Sequence, residues 1–242
     1  MKITMLGHST LLLEMDGKRI LTDPWLTDSV FWGTLRHHTP VPAPREVLPL
    51  DLMIISHGHE DHCDLKTLEK LPKTLPVVIF NRYKRIIREA GFDEVYPVKS
   101  GDMVDIGGIK VKATPGKHIG GIVTFLIQAT EGKIFFGGDS ELCIELEEAI
   151  KGMKPDVAVL PISGGGIGPL KFHMDPNDAA RLAAASEAKV VIPSHYNLTT
   201  GASLLDRIIR KPNCLEEFKN VLATVAQGTE IKVLDVAETW ES

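Results

Sequence analysis

Short apolar runs bounded by polar and turn residues dominate the first part of the chain, the pattern of strands. "KITML" and "TLLLEM" read as strands, and "MDGKRILTD" puts Asp16-Gly17 between two apolar runs, a strong signal for a tight hairpin turn. Residues 24–50, "PWLTDSVFWGTLRHHTPVPAPREVLPL", break the pattern. Five prolines and no clean periodicity predict a long surface loop there. "LDLMIIS" follows as a buried strand, then "DLKTLEKL" as a helix capped by Asp64. "PVVIF" is a strand, "NRYKRIIREAG" a helix ending at Gly91, and "EVYPV" a strand.

The second half repeats this order. "DMVDIGGIKVKATPG" and "IVTFLIQATEGKIFFGGDS" predict two hairpins, turning at Gly107-Gly108 and Glu131-Gly132. "ELCIELEEAIKG" is a helix, "PDVAVLPIS" a buried strand and "GGGIGPLKFHM" a Gly-rich loop. "DPNDAARLAAASEA" has Asp175 as helix cap and Pro176 at the first helical position. "KVVIPSHYN" is a strand running into a loop, and a helix near 214–225 and a strand near 230–236 follow. Each half thus places hairpins first and strand–helix alternation later. With no repeat, low-complexity tract or linker, one α/β domain over 1–242 is the expectation.

Composition adds mainly exclusions. The 242 residues are 43% hydrophobic and 24% charged, enough to bury a sizeable core. A net charge of −5 and a pI near 6.0 give no nucleic-acid footprint. No apolar run approaches the roughly 20 residues that span a bilayer, and the N-terminus lacks a signal-peptide pattern, so no membrane partner and a cytoplasmic location are expected. Cys63, Cys143 and Cys214 are odd in number and widely spaced, which argues against disulfides and thiolate zinc sites.

The chemistry concentrates in "ISHGHEDHCD". His57 and His59 are two apart, so on an extended segment they point the same way and suit one metal. Asp61 and His62 lie where the chain turns into a helix and can face a second. His118 in "TPGKHIGG", Asp139 in "FFGGDS" and His195 in "IPSHYN" each follow a predicted strand. The Gly-Gly pair before Asp139 allows close backbone approach. His57, His59 and His118 can hold one metal, and Asp61, His62 and His195 the other. Asp139 can bridge both, with a hydroxide between metals roughly 3.5–4 Å apart. All-N/O ligands fit two divalent ions, zinc first, with manganese, iron and nickel as alternatives.

H-x-H-x-D-H followed by isolated His, Asp and His resembles the metallo-β-lactamase superfamily. "GHSTLLLEMDGKRILTDPWL", "HMDPNDAA" and "IPSHYN" resemble its branch of L-ascorbate-6-phosphate lactonase and N-acyl phosphatidylethanolamine phospholipase D. The resemblance runs from Gly7 to Asn197 and implies a four-layer αββα sandwich with metals at one edge between the sheets. It implies a metal-dependent hydrolase in which hydroxide attacks a small anionic lactone or phosphate ester. The alternatives are a phosphodiesterase of the same branch or a non-catalytic metal- or ligand-binding protein on this scaffold. Homo-oligomers are common in the branch, but the sequence sets no subunit number.

Around the ligands, Asp61 can orient the nucleophile or shuttle a proton, and His173 can contact substrate or donate a proton. Asp23 is the candidate carboxylate partner of a ligating histidine, His8 a residue at the edge of the site, and Cys63 a packing residue beneath it. Lys117, Lys171, Arg45 and His37-His38 can meet an anion or merely face solvent. Trp25, Phe31 and Trp32 can wall the site, pack the loop, or form a subunit interface.

Overall fold

The computed structural model describes residues 1–167, 170–200, 206, 208 and 213–242. Strands β1 (Lys2–Gly7), β2 (Thr10–Met15) and β3 (Lys18–Thr22) form an antiparallel meander. The hairpin β4 (Ser29–Val30) and β5 (Leu35–His37) stands apart from it. Strands β6 (Leu52–Ile55), β7 (Val77–Phe80) and β8 (Val95–Val98) then add in parallel beyond β3. Helices α1 (Leu65–Glu69) and α2 (Lys84–Glu89) lie between them in sequence.

The second half repeats the plan. β9 (Met103–Ile106), β10 (Ile109–Thr114), β11 (Thr124–Ala129) and β12 (Gly132–Phe136) form an antiparallel meander. After α3 (Ile144–Ile150), β13 (Val157–Pro161) pairs in parallel with β12. A two-residue hairpin, β14 (Gly166–Ile167) and β15 (Leu170–Lys171), precedes α4 (Pro176–Ser186). β16 (Val190–Ser194) joins β13 in parallel. β17 (Leu198–Thr199) crosses to β5, α5 (Cys214–Val225) follows, and β18 (Glu230–Ile231) extends the sheet beside β16. β19 (Thr239–Glu241) returns to pair with β1 in the first sheet.

Three apolar layers follow from the alternation. In β10, Ile109, Val111 and Ala113 face inward while Lys110 and Lys112 face out. They meet Ile3, Leu11, Leu13 and Ile54 of the other sheet in one core between the sheets. Strands covered on both faces read as unbroken apolar runs. In β6, Leu52 and Ile54 enter that central core, while Met53 and Ile55 pack outward with Leu68 of α1 and Ile87 of α2. On the far side, Phe135, Leu160 and Val191 pack under Leu146 of α3, Leu182 of α4 and Phe218 of α5. The result is the expected helix–sheet–sheet–helix sandwich.

The tight turns follow their residues. Asp16 and Gly17 have φ of 48° and 71°, and Gly107 and Gly108 have φ of 60° and 91°, as a two-residue hairpin requires. The next turn falls on Thr130-Glu131, one residue before the predicted Glu131-Gly132, since Gly132 already pairs with Ala129. Asp64 accepts from the Lys66 and Thr67 amides, and Asp175 from those of Asn177 and Asp178.

Residues 24–50 correct the sequence reading. They hold β4, β5 and a 3₁₀ turn at Pro44–Val47, and Trp25, Val30 and Leu35 are buried with Leu198 in a small core of their own. Isolated apolar residues among prolines carry no period, yet they suffice to pin the segment down. Near the C-terminus, the strand expected over 230–236 pairs only at Glu230–Ile231, and β19 was not foreseen. The Gly-rich loop contains the β14–β15 hairpin, and residues 168 and 169 of it lie outside the described residues. No helix among the described residues is long and apolar enough to cross a membrane.

Candidate metal centre

Strands β1, β3 and β6 run one way in the first sheet, and β10, β12, β13 and β16 share one direction in the second. Their C-terminal ends supply the site. His8 follows β1, Asp23 follows β3 and His57 follows β6. His118 comes after β10, Asp139 after β12, Ser163 after β13 and His195 after β16. His8, Asp23 and His195 have φ of 51°, 36° and 61°. Non-glycine residues seldom adopt this left-handed region, and such strain collects where a site demands it.

The glycines near these ligands have steric reasons. Gly138 has φ 55°, and a Cβ there would meet Ser56 at 2.9 Å. Gly58, between His57 and His59, lies against the face of the Tyr83 ring, and the Tyr83 hydroxyl donates to the Gly120 carbonyl at 2.8 Å. This clamp joins the His59 turn to the His118 loop.

Among the described residues four overlapping sets lie close enough to share a metal: His57–His59–His118, His8–Asp61–His62–His195, Asp139–His173–His195 and Asp23–His57–His62. In the first, His59 Nδ1 lies 3.0 Å from His57 Nε2 and 3.1 Å from His118 Nε2. In the second, His8, Asp61, His62 and His195 each offer one atom within a 4.8 Å set. His8 Nε2 lies 3.4 Å and His62 Nε2 3.8 Å from Asp61 Oδ2. Asp139 reaches both groups: Oδ2 is 3.4 Å from His118 Nε2 and 4.0 Å from His62 Nε2, and Oδ1 is 3.1 Å from His195 Nε2. All seven ligands expected from the sequence are therefore brought together, and His8 sits among them rather than at the edge.

The surrounding hydrogen bonds assign the ring protons. The Ser56 hydroxyl donates to Asp23 Oδ2 at 2.6 Å and so accepts from His57 Nδ1 at 3.0 Å. His62 Nδ1 donates to Asp23 Oδ2 at 2.7 Å, and His118 Nδ1 to the Phe172 carbonyl at 2.6 Å. Asp23, fully buried, has the partnership expected of it. The Gly165 amide donates to His173 Nε2 at 3.0 Å, which places the His173 proton on Nδ1. The Ser163 hydroxyl, 2.5 Å from His173 Nε2, donates there and accepts from His195 Nδ1 at 3.2 Å. His57, His118 and His195 therefore turn bare Nε2 lone pairs inward. His173 Nδ1 faces Asp139 Oδ1 at 2.9 Å, off the line of a good hydrogen bond.

This donor set fits a cation. His195 Nε2 and Asp139 Oδ1, 3.1 Å apart, are both acceptors, both buried, and neither has a hydrogen-bond partner among the described residues. His62 Nε2 and His8 Nε2 are also buried without one. An unsatisfied buried polar atom costs about 1–3 kcal/mol, and several of them converging cost more. The 3.0–3.1 Å nitrogen separations approach the tetrahedral edge of about 3.3 Å implied by metal–nitrogen distances of about 2.0 Å.

Electrostatics agree. Burial opposes ionisation of Asp61 and Asp139. The neighbouring histidines outweigh it, chiefly His62 and His8 for Asp61 and His173 and His118 for Asp139, and hold both carboxyls below their usual range. Burial also opposes a charge on His62, but Asp61, Asp23 and Asp139 overcome it and push the imidazole up to about 9. A site that draws a proton this strongly is built for positive charge. His57 and His195 go the other way, pushed well down by burial and by other histidines.

The flanking candidates separate clearly. Burial pushes the Cys63 thiol up to about 12, and it packs in the outer core beside Leu68. Lys117 pairs with Glu141 at 2.9 Å, and Lys171 with Asp175 and Asp178 at 2.9 and 2.7 Å. His37 stacks on Trp25 and is pushed by burial down to about 3, so it carries no charge near neutral pH. Phe31 lines the cavity over the cluster, Trp25 packs the loop, and Trp32 is fully exposed. Ser56 and Ser163 were not anticipated. A serine after an apolar strand is too common to stand out, and its role shows only once the rings are placed.

The comparisons with known proteins agree with this geometry. The family model described as "Beta-lactamase superfamily domain" matches residues 2–195. A UPF0173 metal-dependent hydrolase of Thermoplasma acidophilum is 31% identical, covering 100% of this chain and 98% of the relative. One of Methanopyrus kandleri is 26% identical over the whole of both chains. The structure of Igni18, a metallo hydrolase from the archaeon Ignicoccus hospitalis, superposes with a TM-score of 0.75 at 25% identity, covering 100% of this chain and 98% of that one. The chain belongs to the β-lactamase superfamily, among its UPF0173 metal-dependent hydrolases.

Proposed function

We propose that this chain is a binuclear hydrolase of a small lactone or phosphate ester. His57, His59 and His118 would hold one divalent ion, Asp61, His62 and His195 the other with His8 beside it, and Asp139 would span the two. Nitrogen and oxygen donors without thiolate suit zinc best, and manganese, iron or nickel next. When bound, such a pair supplies hydroxide near neutral pH and draws negative charge from the carbonyl or phosphoryl oxygen under attack. The observation that carries this reading is the convergence of imidazole nitrogens and carboxylate oxygens in neighbouring sets, with Asp139 reaching both His118 and His195.

The chain's own residues do the rest. Asp61, kept ionised by its histidines, would orient the attacking water and take its proton. The oxygen attacks the acyl carbon or phosphorus, the bond to the leaving oxygen breaks, and the proton passes from Asp61 to that oxygen. Asp23, through Ser56 and His62, fixes which ring nitrogens face inward. His173 borders the cavity with Nδ1 2.9 Å from Asp139 Oδ1, where it would contact substrate or donate a proton, and an anionic substrate end would lie on the same side.

The test is turnover of bis(p-nitrophenyl) phosphate and of a panel of small lactones, before and after chelation and after metal is restored. Metal-dependent turnover is expected for one of the two classes. His59→Ala should lower it by more than about a hundredfold, since even an outer partner of a ligand is worth ten- to hundredfold. Full turnover in His59→Ala would overturn the two-metal mechanism.

A further inference from the structure

The cavity over the cluster, about 350 Å³, has two unlike sides. Its floor is the polar set of His59, Asp61, His118, Asp139, His173 and His195. Its wall is mostly apolar: Phe31 and Leu35 from the β4–β5 hairpin, Ile119 next to His118, Phe172 next to His173, and Leu198 of β17, with Thr34, Tyr196 and Thr200 among them. These residues come from separate stretches of the chain and converge on one space. The hairpin is fixed to the metal-binding stretch itself, because the Phe31 amide donates to Glu60 Oε2 at 2.7 Å, and Glu60 lies between His59 and Asp61. Phe31, Trp32 and Gly33 have φ of 51°, 53° and 83°, so the turn joining β4 to β5 is left-handed through three successive residues. Among the described residues, Lys117 and Lys171, the lysines near the ligand loops, pair with surface carboxylates.

We infer that the substrate carries an uncharged hydrocarbon group, of roughly six to ten carbons for a cavity of this size, seated on Phe31, Leu35, Ile119, Phe172 and Leu198. Any anionic charge is confined to the reacting end, which meets the polar floor. This rests on the hydrolase reading and narrows its substrate class. The wall contributes affinity by removing apolar surface from water, and it would discriminate against a second charge, which would be desolvated without a partner.

Straight-chain monocarboxylates from acetate to octanoate, and adipate as a six-carbon dianion, test this by calorimetric titration into the zinc-loaded protein. The carboxylate stands in for the acid end of a hydrolysis product. Affinity should rise about fourfold per methylene from butanoate to octanoate, and hexanoate should bind at least tenfold tighter than adipate. Ile119 is half exposed, at 52%, so Ile119→Lys should fold normally, lose the chain-length gain and favour adipate. A flat series, equal binding of adipate and hexanoate, or no carboxylate binding would overturn the inference. Failure of the hydrolase reading shows elsewhere, as absent zinc uptake or metal-dependent turnover. In that case the same series with metal-free protein still reads the wall through its slope per methylene.

Discussion

His62 shows how a single side chain is committed from both ends. Its Nδ1 is held by Asp23, while its Nε2 is buried, unpartnered and directed toward Asp61 and Asp139. The pH response of the metal-free protein follows from such residues. Burial keeps His8, His57 and His195 from protonating in the folded chain, whereas the unfolded chain takes up those protons near pH 6.5. The unfolded state then binds more protons as pH falls, so stability is lost from about pH 7 downward. His62 has the opposite sign. Its folded value of about 9 gives a contribution that is complete below about pH 6.5 and fades as pH rises through 9. Denaturation midpoints of metal-free protein should therefore be highest near pH 7–8, lower at pH 5 and lower again above pH 9. A midpoint that rose steadily toward pH 5 would contradict the ring protonation described above. The candidate ligands were readable because their spacing and their places after apolar strands are local facts. The two serines were not, because their role depends on ring orientations that only the folded chain defines.

Strand ends, turns and one small hairpin deliver the residues to the site. The contact of Gly58 with Tyr83, and of Tyr83 with Gly120, ties the His59 turn to the His118 loop. A methyl at residue 58 would occupy the ring's position. Gly58→Ala should cost about 1–3 kcal/mol as overpacking, seen as a lower thermal midpoint, and should weaken metal retention in the His57–His59–His118 group. A variant with unchanged midpoint and metal affinity would show that the clamp does not position His59. Alternating and unbroken apolar runs made the two meanders and the parallel strands readable, and Asp64 and Asp175 announced their helices. Residues 24–50 misled because their burial rests on a few separated side chains, Trp25, Val30 and Leu35, meeting Leu198 from far along the chain. That distant partner also explains why, of the cavity's apolar wall, the sequence pointed to Phe31 but not to Leu198.

Across the whole molecule, the two halves fold by the same plan and bring matching strand ends to one edge of the sandwich. The first half contributes His8, Asp23 and the His57–His62 stretch, and the second contributes His118, Asp139, Ser163, His173 and His195. Neither half alone completes either group of ligands, since the first needs His118 and the second His195. The central claim is that this edge is a two-metal site. It is tested most directly by the metal content per chain of protein purified without added metal and again after incubation with zinc or manganese. The account predicts about two ions per chain in at least one of these states. No bound metal after reconstitution, or a single ion at saturation, would contradict it.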